Sequence, residues 1–103
     1  MGQSLRQKQS KFTKALGFLI VYAYSLGYEL TLGDTYPGKY KHSPKGAHPK
    51  GLAIDLPLFK KDIYLEQTSS HEFLGFYWES LGGTWGGRWE DGNHYSWDEQ
   101  IVQ

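Results

Sequence analysis

The sequence predicts an α+β domain in which helices pack on a small, mostly antiparallel sheet. Three observations predict it: a long amphipathic stretch near the N-terminus, short strand-like runs bounded by glycine and proline, and a second helical stretch ahead of a last aromatic strand. With 103 residues, the chain reads as one domain over residues 1–103, large enough for one modest core and too small for two.

The elements follow in order. From Ser4 to Leu26, Leu5, Phe12, Ala15, Leu16, Leu19, Ile20, Ala23 and Leu26 recur at spacings of three and four, with Gln3, Arg6, Gln7, Ser10, Lys11 and Lys14 mainly between them. This is a helix capped near Ser4 and stopped at Gly27. Phe18, Val21, Tyr22 and Tyr24 make its second half apolar nearly all round, which predicts burial there. Tyr28 to Leu32 alternates and reads as a strand, and residues 33–50 form a long loop rich in Gly, Pro, Lys and Tyr. Leu52 to Phe59 reads as one strand, apolar on both faces except for Asp55, followed by a turn at Lys60-Lys61-Asp62 and a short strand at Ile63–Leu65. Ser69 and Glu72 have the spacing of a capping box, and Phe73, Leu74, Phe76, Tyr77, Trp78 and Leu81 continue as a helix ending at Gly82-Gly83. A glycine-rich aromatic turn, Trp85 to Trp89, precedes a last strand at His94–Trp97.

Composition removes several classes of function. Eleven basic residues balance eleven acidic ones, which argues against a strong nucleic-acid binder. There is no cysteine, so disulfides, thiolate metal sites and cysteine nucleophiles are excluded, and a metal must use His and carboxylate ligands. The apolar run from Leu16 to Ala23 is too short to span a bilayer, so no membrane insertion is expected. The basic residues spread through the first helix do not make a signal peptide. The expectation is a soluble, monomeric protein, cytoplasmic when synthesised.

Chemistry concentrates in two places. His48 stands at the end of the long loop, Asp55 lies seven residues later within an apolar strand, and His94 follows an Asp-Gly-Asn turn. Hydrolytic zinc sites use three protein ligands of these types and leave a fourth position for water. Asp91, three residues before His94, is a carboxylate able to move a proton near that water. Taken singly, each histidine is an ordinary polar surface residue, and a salt bridge or turn cap would also account for Asp55. The placement of a carboxylate within an apolar strand favours a bound or paired role, because burying it otherwise is costly.

The run His48-Pro49-Lys50-Gly51-Leu52-Ala53-Ile54-Asp55-Leu56 resembles the His-x6-Asp signature of the LAS-type zinc peptidases, peptidase family M15. That group holds D-alanyl-D-alanine carboxypeptidases and dipeptidases and the L-alanyl-D-glutamate peptidases that serve as phage endolysins. Asp91-Gly92-Asn93-His94-Tyr95 resembles the group's second element, and Phe76–Gly82 with Trp85–Trp89 resembles its short phage-type members. The likeness spans about Leu26 to Trp97. It implies a Hedgehog/DD-peptidase-like fold, a Zn2+ cofactor held by His48, Asp55 and His94, Asp91 as general acid/base with Glu90 one residue off that spacing, and a peptidoglycan stem peptide as substrate. Two positions depart from the pattern. Gly46 stands where members carry Ser or Thr, and the loop offers Lys39, Lys41 and Lys45 where they carry a substrate-binding Arg, so a lysine or Arg88 has to serve. A lysine supplies a point charge without the bidentate fork of arginine. The resemblance leaves two further readings: a non-catalytic, zinc-stabilised cell-wall-binding module with the same ligands, and a peptidase of the same fold acting on another bond. His42 and His71 match nothing in the signature, and His71 reads as solvated. A murein-cleaving enzyme without a signal peptide would reach the wall by another route, a holin-type release or a different export, or would work on recycled wall peptides inside the cell.

Overall fold

A capping box starts the first helix of the computed structural model, which describes residues 2–33 and 50–97. Ser4 Oγ accepts from Gln7 N–H at 3.1 Å while Ser4 N–H donates to Gln7 Oε1 at 2.9 Å, so two otherwise orphaned donors are satisfied. Helix α1 runs over Leu5–Ser25 and stops where Gly27 takes φ +86°. Its buried stripe is Phe12, Ala15, Leu19 and Ala23. The all-round burial expected of its second half is not found: Phe18, Val21, Tyr24 and Leu26 are exposed, because the described part of the domain packs against one side of the helix.

The strands are short and every ladder among the described residues is antiparallel. One sheet has the order β1-β3-β4, with β1 at Glu29–Leu30, β3 at Leu58–Lys60 and β4 at Ile63–Tyr64. The other has the order β2-β6-β5, with β2 at Ala53–Asp55, β5 at Thr84–Trp85 and β6 at His94–Ser96. The single strand expected over Leu52–Phe59 is therefore two strands in two sheets, separated at Leu56-Pro57. Proline has no N–H for a ladder, and here the chain changes partners. Leu56 N–H still reaches Asn93 O at 2.8 Å, whereas Pro57 O accepts from Thr31 N–H at 3.1 Å. Gly33 N–H donates to Asp55 O at 2.8 Å, so the chain beyond β1 runs on from β3 toward β2. Lys61 and Asp62, both at positive φ, form the two-residue hairpin loop between β3 and β4, as the right-handed twist of such ribbons favours.

Helix α2, Glu72–Ser80, follows a 3-10 turn at Thr68–His71. The expected Ser69–Glu72 capping box is absent: both serines lie within the 3-10 turn, and His71 occupies the cap position without a side-chain capping bond. Nor is His71 solvated. It is 2% exposed, on the inner side of the turn. Trp78 stands at the centre of the core, edge-on to Phe12, Tyr95 and Trp97. Its indole N–H donates to Ser96 O at 2.9 Å and to Thr84 O at 3.2 Å, which ties α2 to both strands beneath it. These elements make the α+β fold with packed helices that the pattern predicted.

Candidate functional site

The register of β2 on β6 brings two of the expected ligands together. Asp55 pairs with His94 across the ladder, so their side chains leave the same face of the sheet. His94 Nδ1 and Asp55 Oδ1 stand 3.5 Å apart, with Oδ1 fully buried and His94 6% exposed. That separation is long for a direct hydrogen bond of good geometry. It matches a shared metal: two ligand atoms each about 2.1 Å from a tetrahedral zinc lie about 3.4 Å from one another. The donor set, one imidazole nitrogen and one carboxylate oxygen, also suits zinc. Residues 48, 39 and 41 lie outside the described residues, so the structure does not place His48, Lys39 or Lys41. Among the described residues no group of three His, Asp or Glu side chains is arranged to hold a metal ion.

The turn before β6 is held on all sides. Asp91 N–H donates to Gly86 O at 2.9 Å, and His94 N–H donates to Asp91 O at 3.1 Å. Trp85 Nε1 donates to Gly92 O at 2.8 Å, and Gly92 N–H donates to Thr68 Oγ1 at 3.2 Å. Gly86 is needed because a Cβ there would collide with Asp91 O and come within 2.7 Å of His94 Cβ. Asp91 sits exposed on this turn, and the preceding Glu90 takes the left-handed conformation at φ 65°. Trp89 lays its ring 5.5 Å from the His94 imidazole, tilted by 59°.

On the opposite face of β6, Tyr95 Oη and His71 Nδ1 share a hydrogen bond of 2.8 Å. Burial drives the His71 pKa down to about 4 and pushes that of Tyr95 up, so at neutral pH this is an uncharged pair on the face of β6 opposite His94.

Arg88 is already engaged. Its Nε and Nη2 donate to the two Glu79 carboxylate oxygens at 2.8 and 2.6 Å, and the guanidinium lies 5.5 Å from the Phe76 ring. The Glu79 hydrogen bonds, then its charge, raise the Arg88 pKa above its ordinary value. Gln67, Thr68, Glu72, Phe76, Arg88 and Glu90 line a cleft of about 530 Å³ beside the Asp91 turn.

Sequence reasoning did not single out Thr68, Gly86, Trp85 as a donor, or the His71–Tyr95 pair. The signal for Trp85 was present: a buried indole N–H requires an acceptor, and glycines on its flank leave room for its ring. Thr68 carried no comparable signal, since its partner is a backbone N–H 24 residues away.

No helix among the described residues is long and apolar enough to cross a membrane. Residues 41–97, more than half of the chain, match the family model described as D-alanyl-D-alanine carboxypeptidase. No curated protein matches the chain.

Proposed function

Because this chain belongs to peptidase family M15, the D-alanyl-D-alanine carboxypeptidase family, we propose that it is a zinc-dependent enzyme hydrolysing an amide bond in the stem peptides of bacterial peptidoglycan. The single observation that carries the reading is the Asp55–His94 pair, held 3.5 Å apart on adjacent strands beside the turn that bears Asp91.

In this reading His48, Asp55 and His94 hold the metal, which when bound supplies a Lewis acid for the scissile carbonyl and acidifies water. Asp91 takes the proton from the attacking water and passes it to the departing amine, so one carboxylate serves as base and then as acid. Its exposed position suits a group that must meet both water and substrate. Trp89 packs its ring beside the His94 imidazole and covers part of it. The cleft beside the turn receives the peptide. Its Arg88 fork is closed by Glu79, so Arg88 contributes a paired guanidinium stacked near an apolar ring, and Lys39 and Lys41 are left to provide the charges for the substrate's carboxylates. The closest fit is a phage-type lysis enzyme, an endolysin acting as a monomer on the wall after release by a holin-type route, on either the L-alanyl-D-glutamate or the D-alanyl-D-alanine bond.

The occupied Arg88 fork, together with Gly46, favours one second reading: a zinc-stabilised module that binds cell wall without cleaving it. Digestion of purified peptidoglycan by the zinc-loaded protein, with a chelated control and mass spectrometry of the fragments, separates the two. Chelator-sensitive release of stem peptides supports the peptidase and identifies the bond from the new termini. Intact peptidoglycan beside one tightly held zinc per chain supports the module.

A further inference from the structure

The peptide plane joining Asp91 to Gly92 is anchored at both ends. Its carbonyl, on Asp91, accepts from His94 N–H at 3.1 Å, and its N–H, on Gly92, donates to Thr68 Oγ1 at 3.2 Å. The following plane is fixed separately, through Gly92 O and the buried Trp85 indole. A plane flanked by glycine has an unusually soft torsion on one side, so its orientation depends on such external bonds. The plane includes Asp91 Cα, so a shift of the plane carries the Asp91 side chain with it relative to His94. Thr68 is well placed to prevent that. It is the first residue of the 3-10 turn ahead of α2, half-buried, and its backbone lies so close to Gly92 that a Cβ on the glycine would come within 2.6 Å of Thr68 Cα. It also lines the cleft of about 530 Å³, so the wall that meets a ligand and the bond that orients the turn belong to one residue.

We infer that Thr68 is a positioning residue, which acts through the Gly92 N–H to hold the Asp91 carboxylate in its working orientation toward His94. The inference rests on the peptidase reading and adds to it an anchor from outside the metal ligands and the acid/base. Thr68→Val keeps the shape of the side chain and removes the acceptor; Thr68→Ser keeps the acceptor and removes a methyl group.

The test measures kcat and KM of the zinc-loaded wild type and both variants on a soluble stem pentapeptide containing both L-alanyl-D-glutamyl and D-alanyl-D-alanyl bonds, with zinc content and melting temperature of each. Thr68→Val should lose about tenfold or more in kcat, the scale of a small misplacement of a reacting group, with KM and zinc content kept. Thr68→Ser should recover most of that loss. A Thr68→Val enzyme with wild-type kcat overturns the assignment, as does a Thr68→Ser enzyme equally impaired, or a loss that follows melting temperature across the variants. A wild type that holds zinc but cleaves nothing overturns the peptidase reading and this inference with it. A wild type that cleaves beside an unimpaired Thr68→Val overturns the inference alone.

Discussion

In the proposed site Asp55 and His94 hold the metal and Asp91 moves the proton, and single substitutions separate these two roles. Asp55→Ala or His94→Ala should abolish stoichiometric zinc binding and hydrolysis together. Asp91→Asn should keep the zinc and lose roughly a hundredfold or more in turnover, as expected when a general base is removed. Zinc analysis alongside peptide release checks both, and an Asp91→Asn enzyme of full activity would end that assignment. His71 gives a pH prediction of opposite character. Its folded pKa of about 4 lies below the ordinary histidine value of about 6.5, so the unfolded chain binds the proton more readily. The stability tied to the neutral form is complete above pH 6.5 and is lost as pH falls from there toward 4, by about 3 kcal/mol. Denaturant unfolding at several pH values should show this slope in the wild type and a flatter one in His71→Gln; equal slopes would refute it. At this scale the sequence was readable where a residue breaks its local pattern, as Asp55 does in an apolar strand. It was misleading for His71, whose polarity and place beside Ser69 and Ser70 gave no sign of the Tyr95 hydroxyl waiting 24 residues downstream.

Helix α2 and strand β5 meet through an absence of side chain. A Cβ at Gly75 of α2 would run into the Trp85 indole, and one at Gly87 would do the same from the other side, so the ring lies between two glycines. Gly75→Ala should destabilise the fold by about 1–3 kcal/mol through overpacking, against a gain in helix propensity below about 1 kcal/mol. Because Trp85 also bonds to Gly92, the variant should lose activity beyond its loss of stability; chemical denaturation and peptide release measure the two. Helices were legible because their periodicity runs for many residues and their ends carry Ser4, Gly27 and Gly82 as punctuation. Strands were not legible to the same degree. With two or three residues each, they leave no alternation to count, and although Pro57 marks a break in the ladder, which sheet each half joins is set by distant partners.

Across the whole molecule, the proposed metal joins His48 and Asp55 to His94, about 40 residues further along the chain. Zinc at a thousandfold excess over its dissociation constant should raise stability by about 4 kcal/mol, read as a higher melting temperature that a chelator reverses. His94→Ala should abolish the shift, and a shift that survives that change would place the metal elsewhere. The α+β class was visible in the sequence from element order alone, and the two-sheet arrangement was not, since it is set by which short strands find one another.

The pairing of Asp55 with His94 also bears on how fast the chain folds. Between them the chain makes β3, β4, α2 and β5, so their meeting closes a long loop. Closure of that kind carries an entropy cost that local helix formation does not, and it slows folding. The ability to capture metal should therefore appear only once this long-range pairing has formed. A stopped-flow refolding experiment that follows a chromophoric zinc indicator alongside far-ultraviolet circular dichroism should record helix first and metal capture later, which would make the proposed metal centre a clock for the joining of β2 to β6.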